Sequence, residues 1–139
     1  MMLDEAADTI PAISIRQPFV HCILHGSKTI ENRSWPTKYR GPILPHAGKA
    51  MTKRDVAGVR EFVKEYVGLE WLRLPQDPSG YPTGGIVGIA DLVDCVEHSD
   101  SPWFFGPYGF VLRNARPVPY VPCMGQLRLF GVPRALVAV

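Results

Sequence analysis

Proline and glycine punctuate this chain so densely that long elements cannot be its building blocks. Fourteen prolines and thirteen glycines stand among 139 residues. Proline locks φ and lacks an amide donor, while glycine admits backbone conformations closed to other residues, so each marks a turn or an element's end. Short apolar, strand-like runs survive between them, before and after one strong helical stretch. That pattern predicts an α+β chain whose strands close into a small β-barrel with helices packed on the outside.

The first eleven residues are acidic and lack the basic and apolar regions of a signal peptide, so they read as a flexible N-terminal tail. Residues 12–139 then make one domain, long enough to bury a real core. A short strand is expected over residues 12–15. A helix follows with Pro18 at its first position, where the missing N–H does no harm. Phe19, Val20, Ile23 and Leu24 give it an apolar face, and Gly26 is expected to end it in the left-handed conformation. His21 and His25 sit four apart on this helix, but no third ligand is near and no Glu follows His21, so they read as structural and no metal is expected.

Residues 28–35 and 42–47 read as strands, the second with Pro45 inside it and therefore at an edge or a bulge. Thr52 begins the best helix, over residues 52–66, with Asp55 three residues on as a capping box. Val56, Val59, Phe62, Val63 and Tyr66 recur at helical spacing. Residues 68–84 form a long irregular loop. Residues 85–96 are a buried-type strand whose charges are Asp91 and Asp94. A carboxylate there costs several kcal/mol unless paired, so Lys28, Arg33 or a main-chain donor is expected beside at least one of them. The apolar final third offers strands over residues 108–114, 127–130 and 135–139.

Charge points to function. Lys28, Arg33, Lys38, Arg40, Lys49, Lys53 and Arg54 crowd one segment with a single acid, Glu31. Residues 28–54 therefore carry +6, while the stretches on either side carry −2 each. Cations this concentrated, interleaved with Trp35 and Tyr39, suit a polyanion whose bases stack on aromatic rings. Period 2 from Thr29 places Glu31, Arg33 and Trp35 on one strand face, a polar face that reads as the floor of a cleft. Cys22, Cys95 and Cys123 are odd in number and lack CxxC spacing, and read as reduced thiols of a cytoplasmic protein. No apolar run approaches the ~20 residues that span a bilayer.

The stretch SIRQPFVHCILHGSKTIENRSWPTKYRGPILPHAGK resembles the signature of the activating signal cointegrator homology (ASCH) family: a Q-P dipeptide, then G-x-K-x-x-E-x-R, Y-R-G and H-A. TGGIVGIADLVDCV is similar to its G-x-x-D strand, and WFFGPYGFVL with GQLRLF to its C-terminal barrel strands. The resemblance runs from about Ile13 to Phe130. It implies a PUA-like β-barrel with a basic cleft facing nucleic acid, usually RNA. Some members are assigned ribonuclease activity. A smaller branch hydrolyses amides of acylated cytidine nucleosides with a Lys in the G-x-K block, a Thr three residues later and an acid on the G-x-x-D strand. Lys28 matches that Lys and Asp91 or Asp94 supplies the acid, but Glu31 occupies the Thr position.

The expected binding residues are therefore Arg16, Gln17, Lys28, Arg33, Trp35, Tyr39, Arg40, His46 and Lys49. Lys28, Arg33, Arg40 and Lys49 are expected to meet phosphate, Trp35 or Tyr39 to meet a base, and Arg16 and Gln17 to hold a phosphate at a helix start. Lys28, held as a charged ammonium beside Glu31, would face Asp91 across a cleft. The main reading is a monomeric domain binding RNA, single-stranded nucleic acid or a nucleoside without a cofactor. The alternative is a small metal-independent hydrolase with Lys28, Glu31 and Asp91 as its catalytic groups, in which Lys28 or Lys49 steadies phosphate charge and Glu31 or His46 moves protons.

Overall fold

A computed structural model describes residues 8–138 of the chain. Its elements run β1 (Thr9–Ile15), α1 (Phe19–His25), β2 (Ile30–Arg33), β3 (Gly41–Ala47), α2 (Lys53–Tyr66), β4 (Gly85–Val96), β5 (Tyr108–Pro122) and β6 (Leu129–Pro133). Within the described residues the six strands form one sheet in the order β2-β5-β4-β3-β1-β6. β1 and β3 run parallel, and every other neighbouring pair is antiparallel.

The architecture is α+β, but the expected closed barrel is not formed. β2 and β6 stand at opposite edges of the sheet and do not pair. β2 is four residues long, and the Ser-Trp-Pro that follows cannot extend its ladder past Trp35, since Pro36 lacks a donor. Side chains reach across instead. Arg33 Nη2 donates to the Ser14 carbonyl on β1 at 2.7 Å, and the Arg128 guanidinium, just before β6, lies 5.0 Å over the Trp35 ring.

Alternation along β1 buries both faces of the sheet. Ile13 and Ile15 join Ile43, Val87, Phe110, Leu112 and the Val20–Ile23 side of α1 in one cluster. Ile10 and Ala12 join Leu44, Ile86, Phe130 and Val137 in another. α1 is covered on its far side too, where Cys22 meets Val59 and Val63 of α2 together with Leu74 and Trp103. β3 is a central strand, and Pro45 sits where its register against β4 shifts between Ile43 and His46, a bulge that spares the missing donor.

α2 starts as its sequence dictates. The Thr52 hydroxyl accepts from Asp55 N at 3.1 Å and Asp55 Oδ2 accepts from Thr52 N at 2.8 Å, a reciprocal cap contributing about 1 kcal/mol.

Several expected boundaries move. The expected tail overlaps β1, because Thr9–Pro11 pair with β6; residues 1–7 lie outside the described set. β2 is shorter than residues 28–35, and β5 runs on past Asn114 to Pro122. Residues 68–84 contain two short 3-10 turns, Leu69–Arg73 and Pro78–Gly80. Residues 135–139 are not a strand: Arg134–Leu136 form a 3-10 turn that lets Val137 drop into the core, and Val139 lies outside the described residues. Gly26 ends α1 in an extended conformation, φ −130. Glycine suits that position because a Cβ would lie 3.0 Å from the Cys22 carbonyl and displace the Glu70 carboxylate, which accepts from Ser27 N at 3.0 Å.

Candidate nucleic-acid interface

The charged segment does not act as one surface. A cleft of about 1320 Å³ opens beside the parallel strand pair. Of the expected residues, Arg33, Trp35, His46 and Lys49 line it. Ser14, Tyr120, Gln126, Leu127 and Arg128, which sequence reading did not select, complete its walls.

Arg33 is fixed in place. Its Nη2 bonds Glu31 Oε2 at 2.8 Å and the Ser14 carbonyl at 2.7 Å, leaving the side chain 21% exposed. Its Nε–H is buried without a partner. Trp35 packs edge-on against Phe110, centroids 5.1 Å apart, with Arg128 over one face. Arg128 holds φ at 59, a region that side chains other than glycine and asparagine seldom adopt and that clusters at functional positions. Lys49 stretches along Gly84, whose φ of +75 suits glycine and where a Cβ would sit 3.5 Å from Lys49 Cγ. Tyr120 donates its hydroxyl to the Thr83 carbonyl at 2.8 Å.

The floor is polar. His46, 2% exposed, has Nδ1 3.0 Å from Ser14 Oγ and Nε2 2.7 Å from the Cys123 carbonyl oxygen. The loop over residues 123–128 rises above it with Met124 and Leu127 almost fully exposed. Cations, an indole and exposed apolar side chains therefore meet in one open depression, the combination that takes a phosphate backbone together with unstacked bases.

The remaining expected residues lie elsewhere. Lys28 is sealed, with its side chain 2% exposed. Its ammonium donates to the Ile30 carbonyl and lies 3.5 Å from Glu31 Oε1, over the rings of Trp103 at 5.3 Å and Phe19 at 5.4 Å. Burial pushes its pKa below the ordinary lysine value; attraction to Glu31 opposes this without reversing it. Glu31 stands beside the ammonium as expected, but the direction of the shift is set by burial. Cys22, in the same packed region, is raised to about 12 by burial.

Asp91 does not face Lys28. It accepts from Asn114 Nδ2 at 3.0 Å, while Asp94 accepts from Cys95 N at 2.8 Å and lies 3.8 Å from Arg40. The proposed Lys28–Glu31–Asp91 set is therefore not assembled: its first two members meet, and the third stands apart. Arg40 also bonds the Thr37 and Tyr39 carbonyls, and Tyr39 donates to the Pro42 carbonyl at 2.6 Å, so both build the turn into β3. Gln17 is buried, bonding the Pro82 carbonyl and capping His21 N. Arg16 pairs with Asp55 at 3.1 Å beside a smaller cavity of about 330 Å³. His21 and His25 lie ring to ring, centroids 4.7 Å apart. Among the described residues no three His, Cys, Asp or Glu side chains gather as metal ligands, and no helix is long and apolar enough to cross a membrane.

The pattern of the ASCH domain family matches residues 13–116. Activating signal cointegrator 1 of Homo sapiens is 27% identical over 107 residues, which is 67% of this chain and 18% of that protein. The Mus musculus protein of the same name is 29% identical over 85 residues, 60% of this chain and 14% of that protein. The chain thus matches less than a fifth of the length of either relative. Two crystal structures of mutants of ZmASCH from Zymomonas mobilis share its fold at 15% identity, with TM-scores of 0.57 and 0.54. They cover 92% and 94% of this chain and 98% of their own. With the family pattern spanning most of its length and the fold shared almost end to end, this chain belongs to the ASCH domain family.

Proposed function

We propose that the chain binds single-stranded nucleic acid, RNA foremost, along the cleft bounded by Arg33, Trp35, Lys49 and Arg128. The observation that carries this reading is the pairing of three cations with a stackable indole in one open depression of about 1320 Å³. Small-molecule pockets typically enclose about 300–1,000 Å³ and cover most of the ligand. A lone nucleoside would leave much of this cleft to water, whereas a strand of several nucleotides fills it. Phosphates meet Arg33, Lys49 and Arg128. A base displaces Arg128 from Trp35 or stacks beside it, and Met124 and Leu127 flank the next.

An amidohydrolase acting on a nucleoside draws less support. Lys28 is enclosed by Phe19, Trp103 and Glu31, and Asp91 is engaged with Asn114. The test is affinity for a short unstructured RNA as a function of salt. Three neutralised phosphates on a single strand give a slope of about −2 in log affinity against log salt. Affinity that stays flat between low and physiological salt contradicts the proposal.

A further inference from the structure

The floor of the cleft carries chemistry that phosphate binding does not use. Ser14 Oγ lies 3.0 Å from His46 Nδ1, and His46 Nε2 lies 2.7 Å from the Cys123 carbonyl oxygen. A main-chain carbonyl can only accept, so in the neutral ring Nε2 carries the hydrogen. Nδ1 is then an acceptor aimed at the serine hydroxyl. Nucleophile, base and a third group that orients the base stand in line.

Register explains why the two meet. β1 and β3 run parallel with Ser14 directly beside His46, each one residue before its strand ends. Carboxyl ends of parallel strands are where open sheets place their ligands. The base is buried, whereas Ser14 is partly exposed and lines the cleft.

Two neighbours complete the set. Gly125 lies against the pair, where a Cβ would come within 2.9 Å of Ser14 Oγ and 3.0 Å of His46 Cε1 and crowd the hydroxyl. Arg33, whose Nη2 holds the Ser14 carbonyl, brings its positive charge to the cleft wall beside the pair. A histidine that merely filled the core would not need its ring nitrogen turned to a serine hydroxyl on the cleft floor.

We propose that Ser14 and His46 form a nucleophile–base pair that hydrolyses carboxylic esters of phosphate-bearing alcohols, nucleotide ribose esters being the class the cleft accommodates. Ser14 Oγ bonds to the ester carbonyl carbon as its proton passes to His46 Nδ1. The Arg33 guanidinium, a cation on the wall of the same cleft, supplies positive charge towards the resulting oxyanion. Collapse breaks the ester C–O bond, and the departing alcohol takes the proton back from Nδ1. Water then attacks the acyl-serine, giving a proton to Nδ1. The second collapse frees the carboxylic acid and returns that proton to Ser14 Oγ. The preference for an anionic carrier rests on the nucleic-acid reading; ester cleavage itself does not.

The test uses two probes that need no nucleic acid, a small fluorophosphonate and p-nitrophenyl butyrate, with the full chain. The expected result is one phosphonyl adduct, mapped by peptide mass to Ser14, together with release of p-nitrophenol. Ser14→Ala abolishes both, and His46→Gln slows both by about 100-fold. Because the adduct is mapped on the wild type, the outcome does not depend on how well a variant folds. Wild-type protein that is folded by its thermal transition but carries no adduct at Ser14 overturns the proposal. So does labelling of undiminished rate in folded His46→Gln. Salt-dependent RNA binding is measured alongside, so that failure of the binding reading and failure of the esterase reading show separately.

Discussion

Lys28 and Arg33 flank one carboxylate, and their surroundings could hardly differ more. Glu31 bonds Lys28 with one oxygen and Arg33 with the other. On the Lys28 side the partners are Phe19, Trp103 and the Ile30 carbonyl, and the ammonium is cut off from water. On the Arg33 side they are the Ser14 carbonyl and the open cleft, with Lys49 and Arg128 nearby on its wall. The ammonium ties the turn after α1 to the packed layer beneath α2, so its charge is an internal strut. The guanidinium is held by the same carboxylate but borders the open cleft. A positive charge serves a ligand when part of it borders open space, and serves the fold when it is enclosed.

Trp35 and Trp103 sharpen this contrast, and the largest expected effect belongs to the sealed side. Trp103 is 1% exposed and donates its indole N–H to Ser27 Oγ at 3.2 Å. Trp103→Ala should lower unfolding free energy by about 3–5 kcal/mol, read by denaturant titration, because it empties the cluster shared by α1 and α2. On the open side, Lys49→Glu with Arg128→Glu should weaken RNA binding roughly 100-fold at physiological salt and flatten its salt slope, with little change in melting temperature. Arg40→Glu should leave affinity within about twofold, since Arg40 is spent on Asp94 and two carbonyls and does not border the cleft. Equal losses for the Arg40 and Lys49 variants would erase the distinction between the two regions. Trp35→Ala should then remove about 1–3 kcal/mol of binding, the worth of one stacked base.

Much of this was readable in the sequence wherever the determinants are local. Thr52 and Asp55 announce the start of α2 because a capping box is closed within one turn. Glu31 and Arg33 share a face because a strand alternates. Charge density located the cleft only in part, because a count of cations cannot say which of them a fold encloses. Lys28 and Arg40 were lost to local partners for that reason. Arg128 and Ser14 were missed because long-range pairing brings them in: β6 against β1 for the first, and the β1–β3 register for the second. A trace of Arg128 was present, as a lone cation in the apolar GQLRLF run. The open sheet was illegible for a related reason. Closure depends on whether two edge strands find each other, and the shortness of β2 emerges only against β5.

The smallest predicted effect is a pH dependence. Burial lowers the Lys28 pKa in the folded chain below the 10.5 of the unfolded one. Between those two values the unfolded state holds more protons, so stability should rise with pH across that window. Below the folded value both states are protonated and the burial penalty stands in full. Lys28→Met should lose this alkaline rise while binding RNA within about twofold of wild type. A rise that persists in Lys28→Met would assign it to another group.

The claim that the open cleft, and not the Lys28 side, takes the nucleic acid is tested most directly by photo-crosslinking. A short oligonucleotide carrying 4-thiouridine is irradiated with the full chain, and the adducts are mapped by peptide mass. The prediction is adducts at Trp35, Tyr120 and within residues 124–128, all lost in high salt. Adducts confined to Phe62 and Phe105, which line the smaller cavity beside Arg16, or to the β4–β5 region around Asp91 and Asn114, would contradict it.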